Sequence, residues 1–569
     1  MHPAVGNLPA EKVAHTYTAT GGLLNTVGAG TDTLVSAMTY DHYGRTTKAE
    51  YGAFGKHLWK SVEYDEHTGA VTRTYTDREL APQRIDATSY TYDPNGNVTS
   101  VKTVSGQDAQ AVTDTQCFTQ DALRQITEAW TVAPSVANGC AAGASAATVG
   151  GPDAYWTTYS YGPTGNRKTE VQHKTPSGPT ADITRTYAAP VTGSHKLPSV
   201  TQTGPAGTTT ETYQYNETGA TKSRKIGAAA EQILEWDSEG HLARTTQGTL
   251  VDTYRYDTEG DRLLRTDSSG TTLYLPGGNE LKLTKTGTLS GTRHYSAGDT
   301  KVAMRTGGKL VFLLADHHGT GTTQVDAATL GIVRRKTALF GGPRGPQPSA
   351  WQGDRAFVGG VRDADTGLTH LGAREYDPAL GRFVSVDPVI DISDPLQLDA
   401  YGYSHNNPIT SSDPSGLYDP DVRKYCLANP KQCDGPDRLK HVDKKLRKQT
   451  GTVVFVAENL AQAEDYAAHF QFNPNVRVIY PASGFDTHRT PVPTPKSAPT
   501  PNMMKGPKGP RGPKARTVGI LAVAQAPGYI MEYGWRHGSW EMLEDFCDPL
   551  NLAPDEYVDP WYQRPVEWA

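Results

Sequence analysis

The stretch RYDTEGDRLLRT, residues Arg255–Thr266, decides the fold. Just before the turn, Tyr254 and Tyr256 alternate with Thr253 and Arg255, the period-two pattern of a strand with one covered face. The Asp257 carboxylate can bond the turn backbone, and Gly260 can take the positive φ that other residues resist. The stretch therefore reads as a β-hairpin. Outward from it the same unit recurs as TYDHYGRTTKAEY from Thr39, EYDEHTGAVTRTY from Glu63 and TYDPNGNVTSV from Thr91. It returns as SYGPTGNRKTEV from Ser160, QYNETGATKSRKI from Gln214 and EWDSEGHLART from Glu235. One hairpin cannot bury its aromatic face alone, whereas hairpins set side by side make a continuous curved sheet. Residues 1–345 are accordingly predicted as a β-hairpin array whose Tyr, Trp and Asp residues are structural.

Composition agrees. Tyr (29) far outnumbers Phe (11), and Gly (58) and Pro (39) are frequent, as turns and short strands require. A net charge of −6 is no signature of a chain that binds nucleic acid along its whole length. Five cysteines are too few for a disulfide scaffold. Cys117 with Cys140, and Cys426 with Cys433, stand at spacings that permit local pairs in an oxidising compartment. No CxxC spacing occurs, and no metal or cofactor site is expected. His317 and His318 would point to opposite faces of a strand, a poor arrangement for joint ligation. No apolar run is long enough to span a bilayer. The opening MHPAVGNLPAEKVAHTY lacks a basic, then apolar, leader and reads as the middle of a repeat. This predicts a missing N-terminal delivery region, and a secreted or cell-surface protein whose export route is not visible in the sequence. Residues 101–155 break the period, and SVANGCAAGASAATVGG from Ser135 is expected as a surface loop.

The repeats resemble the YD or RHS family, found in bacterial RHS proteins, the C components of insecticidal toxin complexes and animal teneurins. The resemblance implies a spiral, hollow β-shell, of which this length would make a part. It sharpens at FVGGVRDADTGLTHLGAREYDPALGRFVSVDP, residues 357–388, and YGYSHNNPITSSDPSGL, residues 401–417. These are similar to the RHS-associated core and its terminal D-P-x-G-L, with a longer DISDPLQLDA segment between them. Residues 346–417 are therefore expected as a core with a self-cleaving site. Two carboxylates held close cannot easily both ionise, so one serves as general acid and the other as general base for water, with an Arg steadying the charge. Some family members cut themselves in this way as aspartyl proteases. The matching positions here are Arg374, Asp387 and Asp413, and the expected cut lies between Leu417 and Tyr418. Asp377 and Arg382 also fall in the match and read as structural.

In the family, the segment beyond such a core is a variable effector, commonly a toxin, and the resemblance implies a cognate immunity protein. Residues 418–569 read as a small α/β or α+β domain with a Pro/Lys-rich loop at 481–516. VVFVA from Val453 and VRVIYPA from Val476 read as strands, with a helix from Asn459 between them. TVGILAVAQA from Thr517 reads as a strand or short helix. Residues 423–516 hold 17 Lys/Arg against 7 Asp/Glu, and residues 532–569 hold 2 against 9. A basic lobe favours RNA or DNA as target. His488, Arg489, Arg536 and His537, with the lysines, could supply a metal-independent ribonuclease. Lys440, His441 and Glu532 are further candidates. The rivals are an ADP-ribosyltransferase, with Arg438 or Arg447 on NAD and Glu532 as catalytic acid, and a non-enzymatic adhesion module.

Overall fold

The computed structural model describes residues 2–417 apart from 20, 21, 259 and 389–398; beyond 417 it describes the backbone of short strands only. The chain divides into two compact units, Met1–Asp421 and Val422–Ala569. The first is built on a 27-stranded sheet, β1 (Val13–Tyr17) through β27 (Ile332–Arg334). Every strand pairs antiparallel with the next one in sequence, so the sheet is a single meander.

The repeat chemistry explains the meander. In the turns at Asp41, Asp93, Asp121 and Asp237 the Asp carboxylate accepts backbone N–H groups two and four residues on. Asp93 takes Asn95 N at 2.9 Å and Asn97 N at 2.8 Å, and Asp237 takes Glu239 N and His241 N, both at 2.9 Å. Gly96 and Gly240 stand at φ +81° and +92°, the left-handed region that an L side chain resists. A register shift just before the aromatic, as at Thr91/Tyr92 and Arg255/Tyr256, turns each hairpin into a bulge. The tyrosine hydroxyl then reaches the preceding hairpin. Tyr92 donates to Val71 O at 2.7 Å, Tyr64 to Thr46 O at 3.0 Å and Tyr256 to Leu242 O at 2.9 Å. Phenylalanine cannot make this staple, which accounts for the excess of tyrosine.

The two ends of the meander meet. Val27, Leu34, Val35, Leu58 and Ile85 share one core with Tyr295, Val302, Phe312, Leu314 and Val325. Arg293, fully buried, donates to the Pro9 and Pro3 carbonyls (3.2 and 2.6 Å) and pairs with Glu11 at 3.0 Å. Burying each large apolar side chain of this core contributes roughly 2 kcal/mol.

The segment after β27 folds back onto the sheet. It carries a small sheet of β28 (Val361–Arg362), β29 (Thr369–Leu371), β30 (Arg374–Asp377) and β31 (Arg382–Phe383). Its own apolar centre is Phe357, Leu371, Tyr376, Phe383 and Tyr403. Buried arginines of the large sheet hold it there. Arg262 pairs with Asp363 (3.2 Å) and Glu375 (2.8 Å), and Arg265 with Asp363 (2.8 Å) and Asp354 (3.0 Å). Arg224 bonds Asp377 and the Thr366 carbonyl.

Asp252, on the large sheet, is buried and faces the same acidic segment. Burial first, then Asp365, Asp363 and Asp267, push its carboxyl up to about 7. A folded value above the unfolded one means that the fold holds an extra proton between them, so stability falls as pH rises through about 7. Asp252→Asn removes that charge. It is expected to stabilise the protein by about 1–3 kcal/mol at pH 8 and to lose this advantage near pH 4, read from melting temperature against pH.

Three local expectations are corrected. Residues 101–155 do not break the meander throughout: Val98–Ser105, Val112–Gln120 and Ile126–Val132 are successive paired strands. The turn between the last two uses Asp121 in the usual way, with Arg124 at φ +64° where other copies have Gly, so a search for the glycine passes over it. Nor is the insertion a bare surface loop. It packs Val149 and Ala154 against Trp130 and Val132, and Cys140 is bonded to Cys117. Closing a loop of 23 residues is worth about 3 kcal/mol in the chain-entropy treatment. Reduction, or Cys117→Ser with Cys140→Ser, is therefore expected to lower the unfolding free energy by that amount, read from the denaturant midpoint. His317 and His318 do not diverge on a strand. They sit in the Asp316 turn, and each Nε2 lies beside the Ile409 carbonyl, at 2.9 and 3.0 Å.

In the second unit, β32 (Val453–Val456) runs parallel to β33 (Val476–Tyr480) and to β35 (Leu521–Val523), and β34 (Phe485–Asp486) pairs antiparallel with β33. A parallel neighbour requires a connection of a dozen or more residues, and 19 residues separate β32 from β33 in the sequence. The two expected strands are present, and the third apolar segment is a strand. The helix expected from Asn459 lies outside the described residues, as does Cys426 with Cys433.

Candidate self-cleavage site

β30 opens on Arg374, whose side chain is buried at 3% exposure. It crosses the ring of Phe383, its guanidinium carbon 3.5 Å from the centroid. Its Nη2 meets Asp387 Oδ2 at 2.7 Å and Asp413 Oδ2 at 3.0 Å. Its Nη1 donates to the Ala400 carbonyl at 3.2 Å, and its Nε to the Gly416 carbonyl. Two carboxylates and two carbonyls thus converge on one guanidinium. Burial pulls the Arg374 pKa below the ordinary guanidinium value, and Asp387 and Asp413 oppose that pull.

The C-terminal strand of the site is threaded tightly. Asp413 N donates to the Tyr403 hydroxyl at 3.2 Å, Asp413 Oδ1 accepts from Ser415 Oγ at 3.0 Å, and Leu417 N donates to Ser415 Oγ at 3.3 Å. Ala373 N donates to the Ser415 carbonyl at 2.9 Å. Two glycines permit this approach. A Cβ on Gly372 would stand 2.2 Å from Ser415 O, and one on Gly416 2.3 Å from Leu371 O; both residues have positive φ. The G-A-R and D-P-x-G-L motifs are therefore two halves of one contact.

Arg374, Asp387 and Asp413 are brought together. Leu417 is half-buried at the end of the first unit's described chain. Tyr418, His488, Arg489, Arg536 and His537 lie outside the described residues, as do Lys440, His441, Glu532, Arg438 and Arg447. Asp377 bonds Arg224 and caps the Ala379 and Leu380 amides (2.9 and 3.3 Å). Arg382 donates to the His195 carbonyl at 2.9 Å. Sequence reasoning missed Phe383, Tyr403 and the carbonyls of Ala400 and Gly416, because backbone acceptors and a ring under a guanidinium leave no spacing signature.

A meander of YD hairpins closed on a segment of this kind makes the chain similar to RHS/YD-repeat proteins. The teneurin YD-shell family matches residues 203–409. The chain is 29% identical over 191 residues to the tRNA3(Ser)-specific nuclease WapA of Bacillus spizizenii, covering 32% of this chain and 8% of that protein. It is 31% identical over 228 residues to the probable deoxyribonuclease RhsB of Dickeya dadantii, covering 36% and 15%. To toxin subunit YenC1 of Yersinia entomophaga it is 24% identical over 446 residues, covering 69% and 43%. The chain thus spans less than half the length of each of these relatives. Among solved structures, TcdB2-TccC3 superposes on 72% of the chain with a TM-score of 0.52 at 20% identity, covering 21% of that chain, which shows a shared fold. No helix among the described residues is long and apolar enough to cross a membrane.

Proposed function

We propose that this chain is the shell and release device of an RHS-type toxin, which hydrolyses its own Leu417–Tyr418 peptide bond and frees residues 418–569 as an effector directed at nucleic acid. The observation that carries the proposal is the meeting of Asp387 and Asp413 on Arg374, which also holds the Gly416 carbonyl next to the expected cut. An aspartyl mechanism works with one carboxylate ionised and the other protonated, and here the two share one guanidinium. The ionised Asp takes a proton from water as its oxygen attacks the Leu417 carbonyl carbon. The protonated Asp delivers its proton to the Tyr418 nitrogen as the C–N bond breaks. Arg374 steadies the carboxylate through both proton transfers.

The nucleic-acid target is supported by the nuclease names of WapA and RhsB and by the excess of cations in residues 423–516. Secretion or display at the cell surface is supported by the toxin names and by the Cys117–Cys140 bond, which persists in oxidising compartments. A cognate immunity protein and an N-terminal delivery region complete the proposal. Inducing residues 418–569 in bacteria tests it. Growth arrest with degraded RNA or DNA is expected. NAD loss with modified protein would instead mark the ADP-ribosyltransferase, and harmless expression would remove the toxin reading in favour of an interaction module.

A further inference from the structure

The first unit has a cavity of about 330 Å³ between the early strands, β5 to β9 (Leu58–Gln120), and the chain from β25 (Lys309–Ala315) to residue 344. Its wall is hydroxylic, with Thr76, Thr88, Thr103 and Ser105 on adjacent strands. Its rim includes Val112 and Arg334, both exposed to solvent.

Two of its cations, Lys60 and Arg335, differ from the buried arginines that hold carboxylates elsewhere in this unit. Arg262 and Arg265 each meet two carboxylates, and Arg185 grips both oxygens of Glu211 (2.9 and 3.0 Å). In the cavity, Lys60 Nζ donates only to the Ala315 carbonyl, at 2.9 Å. Arg335 donates to the Gly321 and Arg355 carbonyls (2.8 and 2.7 Å) and lies over Trp351. Neither has a carboxylate within ion-pair distance among the described residues. The acid whose charge acts on both is Asp316, whose Oδ1 accepts from the His318 and Thr320 amides. Arg344 reaches Asp114 through Nη2, but its Nε and Nη1 have no partner, although the residue is only 6% exposed. Arg334 and Lys336 are matched by Asp86 (3.2 Å) and Asp153 (2.9 Å). Positive charge in excess of the facing carboxylates therefore lines the cavity, an arrangement that favours entry of an anion. Burial holds Lys60, Arg335 and Arg344 below their ordinary proton affinities, as an uncompensated set requires.

We infer that this cavity binds a small phosphoryl oxyanion, with Lys60, Arg335 and Arg344 meeting its charge and the threonine wall its hydroxyl groups. Both rings of His317 and His318 are placed on the Ile409 carbonyl, so the site is one for an anion and not for a metal held by this pair. The ligand is either free phosphate or the monoester of a small polyol, and the two share the phosphoryl group.

The test is calorimetric titration of the full chain with inorganic phosphate and, separately, with a sugar monophosphate, alongside melting temperatures. Saturable one-to-one binding is expected, with a rise in melting temperature. Lys60→Met and Arg344→Met should weaken binding at least tenfold. Lys60→Met should also raise the melting temperature of the ligand-free protein, because it removes a half-buried charge with no facing carboxylate. Tighter binding of the ester than of phosphate assigns the threonine wall to the ligand, and equal affinity assigns the site to phosphate alone; either supports the inference. Absence of saturable binding by both ligands overturns it. So does undiminished binding by a folded Lys60→Met protein.

Discussion

Asp387→Asn and Asp413→Asn chains are expected to stay whole, at 569 residues, whereas the wild-type chain is expected to separate into residues 1–417 and 418–569. Each replacement removes one partner of a two-carboxylate site while keeping side-chain size. General acid–base catalysis by a positioned group contributes about 10²–10⁴ in rate, so loss of either Asp should slow cleavage by at least about a hundredfold. The fold should survive, because Arg374 keeps its other carboxylate and its bonds to the Ala400 and Gly416 carbonyls. Arg374→Lys separates charge from geometry. A lysine keeps the positive charge but cannot span Asp387, Asp413 and two carbonyls at once. Cleavage should therefore drop even though the net charge is unchanged. Fragments appearing at the wild-type rate in Asp413→Asn would remove Asp413 from the mechanism.

The largest effect on stability is expected at Arg262. Its side chain is 3% exposed, as are those of its two partners, Asp363 and Glu375. Breaking a buried pair from one side leaves uncompensated charge and costs about 3–5 kcal/mol. Arg262→Ala leaves Asp363 with Arg265 alone and Glu375 with His370 alone, so the cost should fall within that range, read as a shift in denaturant midpoint. Adding Asp363→Asn and Glu375→Gln should restore part of the loss, since the excess buried negative charge is then gone. The same cluster sets an acid limit. Burial raises the Glu375 pKa, but Arg262 and His370 outweigh it and bring it down to about 2. A depressed carboxylate stabilises the fold above its unfolded value and loses that contribution as pH falls from about 4.5 to about 2. In Glu375→Gln this part of the acid unfolding profile should flatten.

The hairpin array was legible because each YD turn repeats a local physical solution: an Asp that caps the turn and a glycine at positive φ. Where that solution varies, as with Arg124 in place of glycine, sequence reading lost the strand pair although the Asp121 bonds persist. The long-range role of the tyrosines was not legible, since nothing in TYDPNGNVTSV says that Tyr92 donates to Val71. Nor was the clamp on the core. Arg224, Arg262 and Arg265 look like ordinary polar strand residues until the core segment lands on them. His317 and His318 were assigned to a strand because adjacency alone decides facing only when the backbone is extended. The site residues Arg374, Asp387 and Asp413 came from motif resemblance. What the structure adds is the reason for the flanking glycines, Gly372 and Gly416, which let two strands of backbone close on one guanidinium.

The most direct test of the release mechanism is to purify the wild-type chain, weigh its products by intact mass spectrometry and sequence the N-terminus of the smaller one. The mechanism predicts a fragment that begins Tyr418-Asp419-Pro420 and a partner that ends at Leu417, with neither product from Asp387→Asn. A wild-type chain that stays whole while its fold is intact, or a fragment with any other N-terminus, would contradict it.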